Sequence, residues 1–84
     1  MKYRVFWHPH AESQLEQILS NEVYQPRILA AARAIDRQLF VAPLNFGESR
    51  FETVRIAFER PLAVLFEVQD DVRTVIVYEV WFIE

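Results

Sequence analysis

Leu62-Ala63-Val64-Leu65-Phe66-Glu67-Val68-Gln69, the pair Asp70-Asp71, and Arg73-Thr74-Val75-Ile76-Val77-Tyr78-Glu79-Val80-Trp81-Phe82 decide the fold. Both apolar runs are rich in β-branched and aromatic residues, and the acidic pair between them is a polar break of the kind that joins strands. In the first run Leu62, Val64, Phe66 and Val68 form one wholly apolar face, the mark of a strand laid on a core. The second run is apolar on both faces, as expected of a central strand covered on each side. So short a connection implies antiparallel neighbours. If it holds an even number of residues, Val75 and Val77 share the helix side with Val64 and Phe66, and Ile76, Tyr78 and Val80 face outward beside Leu65 and Arg55. An odd number instead turns Glu79 and Trp81 outward and buries Ile76 and Tyr78.

Upstream, Phe51 to Phe58 reads as a further strand, ended at Glu59-Arg60-Pro61. There Val54, Ile56 and Phe58 alternate with Thr53, Arg55 and Ala57, and the apolar set is expected to meet the helices. Gly47, the only glycine, marks a bend in Asn45-Phe46-Gly47-Glu48-Ser49 that needs positive φ. Before it, Pro26 opens and Pro43 closes a helix whose stripe is Ile28, Ala31, Ala32, Ile35 and Leu39, with Arg33 and Arg37 outside. Ala11, Leu15, Ile18 and Leu19 define an earlier helix ending near Asn21, and Lys2 to Trp7 a half-buried strand stopped by His8-Pro9. The pattern predicts a single α+β domain over residues 1–84, in the order β-α-α-β-β-β. Its two N-terminal helices pack on one face of an antiparallel sheet.

The composition sets limits on what such a domain does. At 84 residues and 52% apolar the chain builds one core. Its lack of cysteine excludes disulfides, thiolate metal sites and Cys catalysis, and suits a reducing cytoplasm. No apolar run approaches the roughly 18 residues of a membrane span. Residues 1–40 hold five Lys/Arg against four Asp/Glu and residues 41–84 four against eight, within a net charge of −3. An acidic second half argues against direct nucleic-acid binding, which draws on phosphate neutralisation.

Candidate chemistry is sparse. His8 and His10 point the same way if on a strand, but the proline between them suggests a loop and no third ligand is evident, so neither metal nor cofactor is expected. Arg50 and Arg60 flank the strand that carries Arg55, and the three are candidates for a phosphate site; solvated strand ends are the plainer reading. Arg55 and Glu67 form either a functional pair or a cross-strand ion pair. Arg27, Arg33 and Arg37 read as a solvated helix face. An outward cluster of Leu65, Ile76, Tyr78, Val80 and Phe82 exposes an apolar patch of several hundred Å², larger than soluble monomers commonly leave open, and is therefore a candidate protein-binding surface.

The opening Tyr3-Arg4-Val5-Phe6-Trp7-His8-Pro9-His10-Ala11 with Leu15, the stretch Ala34 to Leu39 with Pro43 and Gly47, and Val54-Arg55 recur as local wording of one family. With Leu65-Phe66-Glu67-Val68, the Asp-rich turn and Val75-Ile76-Val77, they resemble the RelE/ParE superfamily, the toxins of bacterial type II toxin–antitoxin modules, also known as plasmid-stabilisation proteins. The resemblance implies a toxin-like protein whose partner is a cognate antitoxin or a second copy of itself, and whose target is DNA gyrase or the ribosome. The superfamily's mRNA endonucleases use basic residues on the sheet and an Arg and a Tyr near a C-terminal tail. Arg55 matches one basic position, Ala63 stands where the next strand would carry an Arg, and the tail pair has no counterpart before Glu84. The resemblance therefore leans by elimination toward a ParE-like protein rather than an mRNA endonuclease, with a catalytically inert interaction module on the same fold as the alternative.

Overall fold

The computed structural model describes residues 2–83. Its main elements are β1 (Arg4–Trp7), α1 (Pro9–Leu19), α2 (Gln25–Val41), β2 (Glu48–Phe51), β3 (Val54–Glu59), β4 (Leu62–Gln69) and β5 (Thr74–Phe82). Short 3₁₀ turns at Pro43–Asn45 and Asp70–Val72 lead into β2 and β5. The strands form one sheet in the order β1-β5-β4-β3-β2, and the architecture is α+β, with both helices on one face.

The set of strands and their directions depart from the sequence expectation in two ways. Glu48–Phe51 is a fifth strand where a bend was expected, and β3 begins only at Val54. Every residue of β2 is exposed, so it has no buried face to leave an alternating pattern, and its ladder to β3 shifts register between Ser49 and Phe51. The sheet is also mixed, since β1 runs parallel to β5 in the register Arg4↔Thr74 to Trp7↔Val77.

Helix starts and core follow from the sequence. His8 caps α1, its Nδ1 accepting from the His10 N–H at 3.1 Å, with Pro9 in the first turn where a missing N–H costs nothing. Along α2, Ile28, Ala31, Ala32, Ile35 and Leu39 are all buried, at the spacing of one helical face. They pack with Ala11 of α1 against Leu62, Val64, Phe66 and Val68 of β4 and Val75, Val77 and Val80 of β5. Each such side chain contributes roughly 1.5–3 kcal/mol of hydrophobic stabilisation on full burial.

The register of β5 resolves the parity question in an unforeseen way. Val68↔Val75 and Phe66↔Val77 are paired, but the next pairs are Leu65↔Glu79 and Val64↔Val80, so the ladder skips Tyr78. This bulge inserts one residue and exchanges the two faces of the strand at that point. Before it, Val75 and Val77 are buried and Ile76 faces outward, as an even connection requires. Beyond it, Glu79 and Trp81 face outward, while Val80 turns to the helices at 1% exposure and Phe82 packs against Tyr24 with ring centroids 5.4 Å apart. Val80 and Phe82 are thus helix-side residues, contrary to the outward position expected for them. Trp7 is the last β1 residue to pair with β5, so the Val80 N–H lies beyond that strand and donates to Gln14 Oε1 of α1 at 2.9 Å.

The faces of β3 are also the reverse of expectation. Arg55↔Phe66 and Ala57↔Val64 pair on the helix side, and Val54, Ile56 and Phe58 lie outward opposite Glu67, Leu65 and Ala63. The small Ala57 is needed inward because Gly47, at φ +72°, passes against it: a Cβ on Gly47 would lie 2.7 Å from the Ala57 Cβ and overlap the Ile56 carbonyl oxygen.

Candidate interaction face of the sheet

With both helices on one side, the opposite face of the sheet is open. Phe6 on β1 and Phe58 on β3, outward by register, are 53% and 61% exposed, and Phe51 on the β2 edge is 63% exposed. Between them Ile56, Leu65, Ile76 and Trp81 are half-buried, held on one side by their strand neighbours. Ala63 lies on this face too, fully buried opposite Trp81 and Phe58. Broad and mostly apolar, such a surface suits a protein partner better than a small molecule.

A hydrogen-bonded polar cluster interrupts it. Glu67 accepts from the Thr53 hydroxyl and the Tyr78 hydroxyl, both at 2.8 Å. Those bonds, Thr53 foremost, hold the Glu67 carboxyl below the ordinary carboxylate range. The same carboxylate, with some help from burial, pushes the Tyr78 phenol above its ordinary value. A carboxylate so satisfied is a poor base, and the phenol it holds a poor acid. The charged residues that register places on this face are Arg4, Glu48, Glu67 and Glu79, so the surface is acidic on balance.

Of the residues expected at a partner surface, Leu65, Ile76 and Tyr78 come together here, whereas Val80 and Phe82 are turned away by the bulge. Phe6, Ile56, Phe58 and Trp81 belong to the face and were missed. The one signal for the β3 residues was small Ala57 between two large neighbours, downstream of the lone glycine that needed it small.

The arginines do not converge. Arg55 projects to the helix side, its Nε donating to the Phe46 carbonyl at 3.1 Å and its Nη2 to the Gly47 carbonyl at 2.9 Å. Arg50 is exposed at the β2 bulge and Arg60 in the turn after β3. They lie toward opposite ends of a six-residue strand, which at about 3.3 Å per residue spans some 20 Å. Arg55 and Glu67 lie on opposite faces of the sheet and do not pair. Among the described residues no group of three or more His, Asp or Glu side chains could hold a metal ion.

No protein-family model matches the chain, and no curated protein matches it significantly. Among solved structures it is similar to a chain of the RelBE2 toxin–antitoxin complex from Mycobacterium tuberculosis, with 26% identity and a TM-score of 0.77 over 98% of this chain and 99% of that one. It is similar in fold to a chain of the chromosomal ParDE system from P. aeruginosa, with 23% identity and a TM-score of 0.65 over 98% and 97%. The resemblance read from the sequence is therefore borne out in three dimensions: from its first strand to its last, this chain has the fold of the RelE/ParE toxins.

Proposed function

We propose that this chain is the toxin-like component of a type II toxin–antitoxin module, held inactive by an antitoxin segment lying across the open face of its sheet. What carries the reading is the match over 98% of the chain to a member of a toxin–antitoxin complex. The open face supports it, because Leu65, Ile76 and Tyr78, joined by Ile56, Phe58 and Trp81, offer apolar anchors with charges around them. Three acids against one base on that face favour an antitoxin segment carrying Lys or Arg over a second copy of this chain, whose equal charges would repel.

A ParE-like action fits better than mRNA cleavage. The strand-borne cation that would neutralise a scissile phosphate, Arg55, is spent on two backbone carbonyls behind the sheet. Ala63, where another Arg would stand, is fully buried. The same facts favour the second reading, an inert interaction module on this fold. Inducing the gene alone in a bacterial host separates them: growth arrest relieved by co-expressing the product of an adjacent small gene is expected, and unimpaired growth leaves the inert module.

A further inference from the structure

The outer edge of β2 carries a pattern that complements itself. Because the Val68 N–H donates to the Thr53 carbonyl at 3.0 Å, odd-numbered residues from Thr53 onward turn their backbone groups to β4, and Val54 and Ile56 turn theirs to β2. Phe51↔Val54 and Glu48↔Ile56 are then the bonded pairs of the β2–β3 ladder. Ser49 and the extra residue Arg50, set against Arg55 where the register shifts, have no backbone partner on β3. No strand among the described residues follows β2 in the sheet order, so their N–H and C=O groups face outward. Beside this edge is a hollow of about 440 Å³ lined by Phe46, Gly47, Glu48, Arg50, Ile56 and Phe58. Phe51, at the other end of β2, is 63% exposed.

We propose that β2 pairs antiparallel with β2 of a second copy about a two-fold axis at Ser49, joining two five-stranded sheets edge to edge. In that register Glu48 lies opposite Arg50 of the second copy and Phe51 opposite Gly47, so each phenyl ring enters the hollow of the other chain. Opposite charges across antiparallel strands attract, and an aromatic ring across from a glycine covers the backbone that the glycine leaves bare. The charges select the register, since an axis at Arg50 would set that arginine against itself and Glu48 against Glu52. They also select the partner. A bulged edge of four residues is a short ladder for an arbitrary strand, whereas a second copy supplies the ring, the hollow and both charges twice. Pairing edge to edge avoids stacking the acidic open faces, whose repulsion disfavours a face-to-face pair. One short strand from each copy is a small contact, so the dimer forms reversibly and grows with concentration. The inference stands whether or not the chain is a toxin.

Sedimentation velocity over a series of concentrations should show a monomer–dimer equilibrium. Glu48→Arg brings like charges together at both ends of the axis, as does Arg50→Glu, so each should raise the dimer dissociation constant about tenfold or more. The double substitution Glu48→Arg with Arg50→Glu restores opposite charges and should return the constant to within about threefold of its starting value. Both side chains are exposed, so Tm should stay within a few degrees. The chain has no cysteine, so Ser49→Cys puts one thiol per copy at the axis, and a short bifunctional thiol reagent should link two copies. Arg33→Cys, on the exposed side of α2, should stay unlinked. Should a charge reversal fail to fold, the Ser49 linkage decides together with Phe51→Ser, which empties the hollow and should weaken the dimer about tenfold. A monomer at every concentration, a dimer indifferent to the single reversals, a double variant no better than the singles, or a dimer that Ser49→Cys leaves unlinked would overturn the proposal.

Discussion

Arg55 illustrates how one side chain reverses a strand. Its guanidinium donates to the Phe46 and Gly47 carbonyls on the helix side of β3, and with Arg55 and Ala57 there, Val54, Ile56 and Phe58 face outward. Arg55→Ala leaves two carbonyls without their charged donor and should destabilise the chain by about 1.5–3 kcal/mol, read as a lower urea midpoint at constant m-value. Gly47→Ala should cost about 2 kcal/mol or more, because an L side chain at φ +72° is strained and its Cβ meets the β3 backbone. Glu67 and Tyr78 make the stability depend on pH. The Glu67 pKa is depressed on folding, so its stabilisation is present above its ordinary value of 4.5 and lost as pH falls through the lower folded value. The Tyr78 pKa is raised, so its stabilisation is present below its ordinary value of 10.0 and lost as pH rises through the folded one. Tyr78→Phe should lower stability by about 1 kcal/mol near neutrality and flatten the alkaline limb of a Tm-against-pH curve. An unchanged curve would show that the hydroxyl contributes nothing.

Among the elements, β5 and its bulge decide which residues a partner can meet. Ile76 lies before the skipped residue and faces outward; Val80 lies after it and is 1% exposed against the helices. Val80→Glu should therefore abolish cooperative unfolding, since an unpaired buried carboxylate costs several kcal/mol. Ile76→Glu should keep the wild-type Tm within a few degrees and weaken capture of an antitoxin segment. Loss of folding in both variants would refute this assignment of faces. Gln14→Ala, which strips the Val80 N–H of its acceptor, should cost about 1 kcal/mol. The helices and β4 were legible in the sequence because each has one buried face, Ile28 to Leu39 at helical spacing and Leu62 to Val68 in alternation. β2 was not, having no buried side, nor was the orientation of β3, where apolar residues occur on both faces. The bulge has no sequence signal: Val75 to Phe82 is apolar on either side, so a one-residue slip leaves the pattern intact while exchanging Tyr78's neighbours. Two of the five expected partner-binding residues, Val80 and Phe82, were misplaced for that reason alone.

The whole molecule is a sheet with helices on one side and an apolar face, acidic on balance, on the other. That distribution bears on the remaining question of mechanism. Cleavage of RNA through its 2′-hydroxyl needs a group to take the hydroxyl proton and cations to stabilise the charge that builds on phosphorus. On the open face the carboxylate best placed to act as a base is Glu67, whose pKa is lowered by the Thr53 and Tyr78 hydroxyls and which is thereby weakened as a base. The cation on β3 is behind the sheet, and Glu48 and Glu79 would repel a phosphate brought to the front. We therefore expect the purified chain, added to a bacterial translation extract, to leave ribosome-bound mRNA intact. Primer extension on a reporter message is the direct readout. Cuts that appear with this chain, vanish with Glu67→Gln and persist with the surface variant Arg33→Ala would mean that the open face does carry a nuclease site. They would also mean that the carboxylate, despite its hydrogen bonds, accepts the proton.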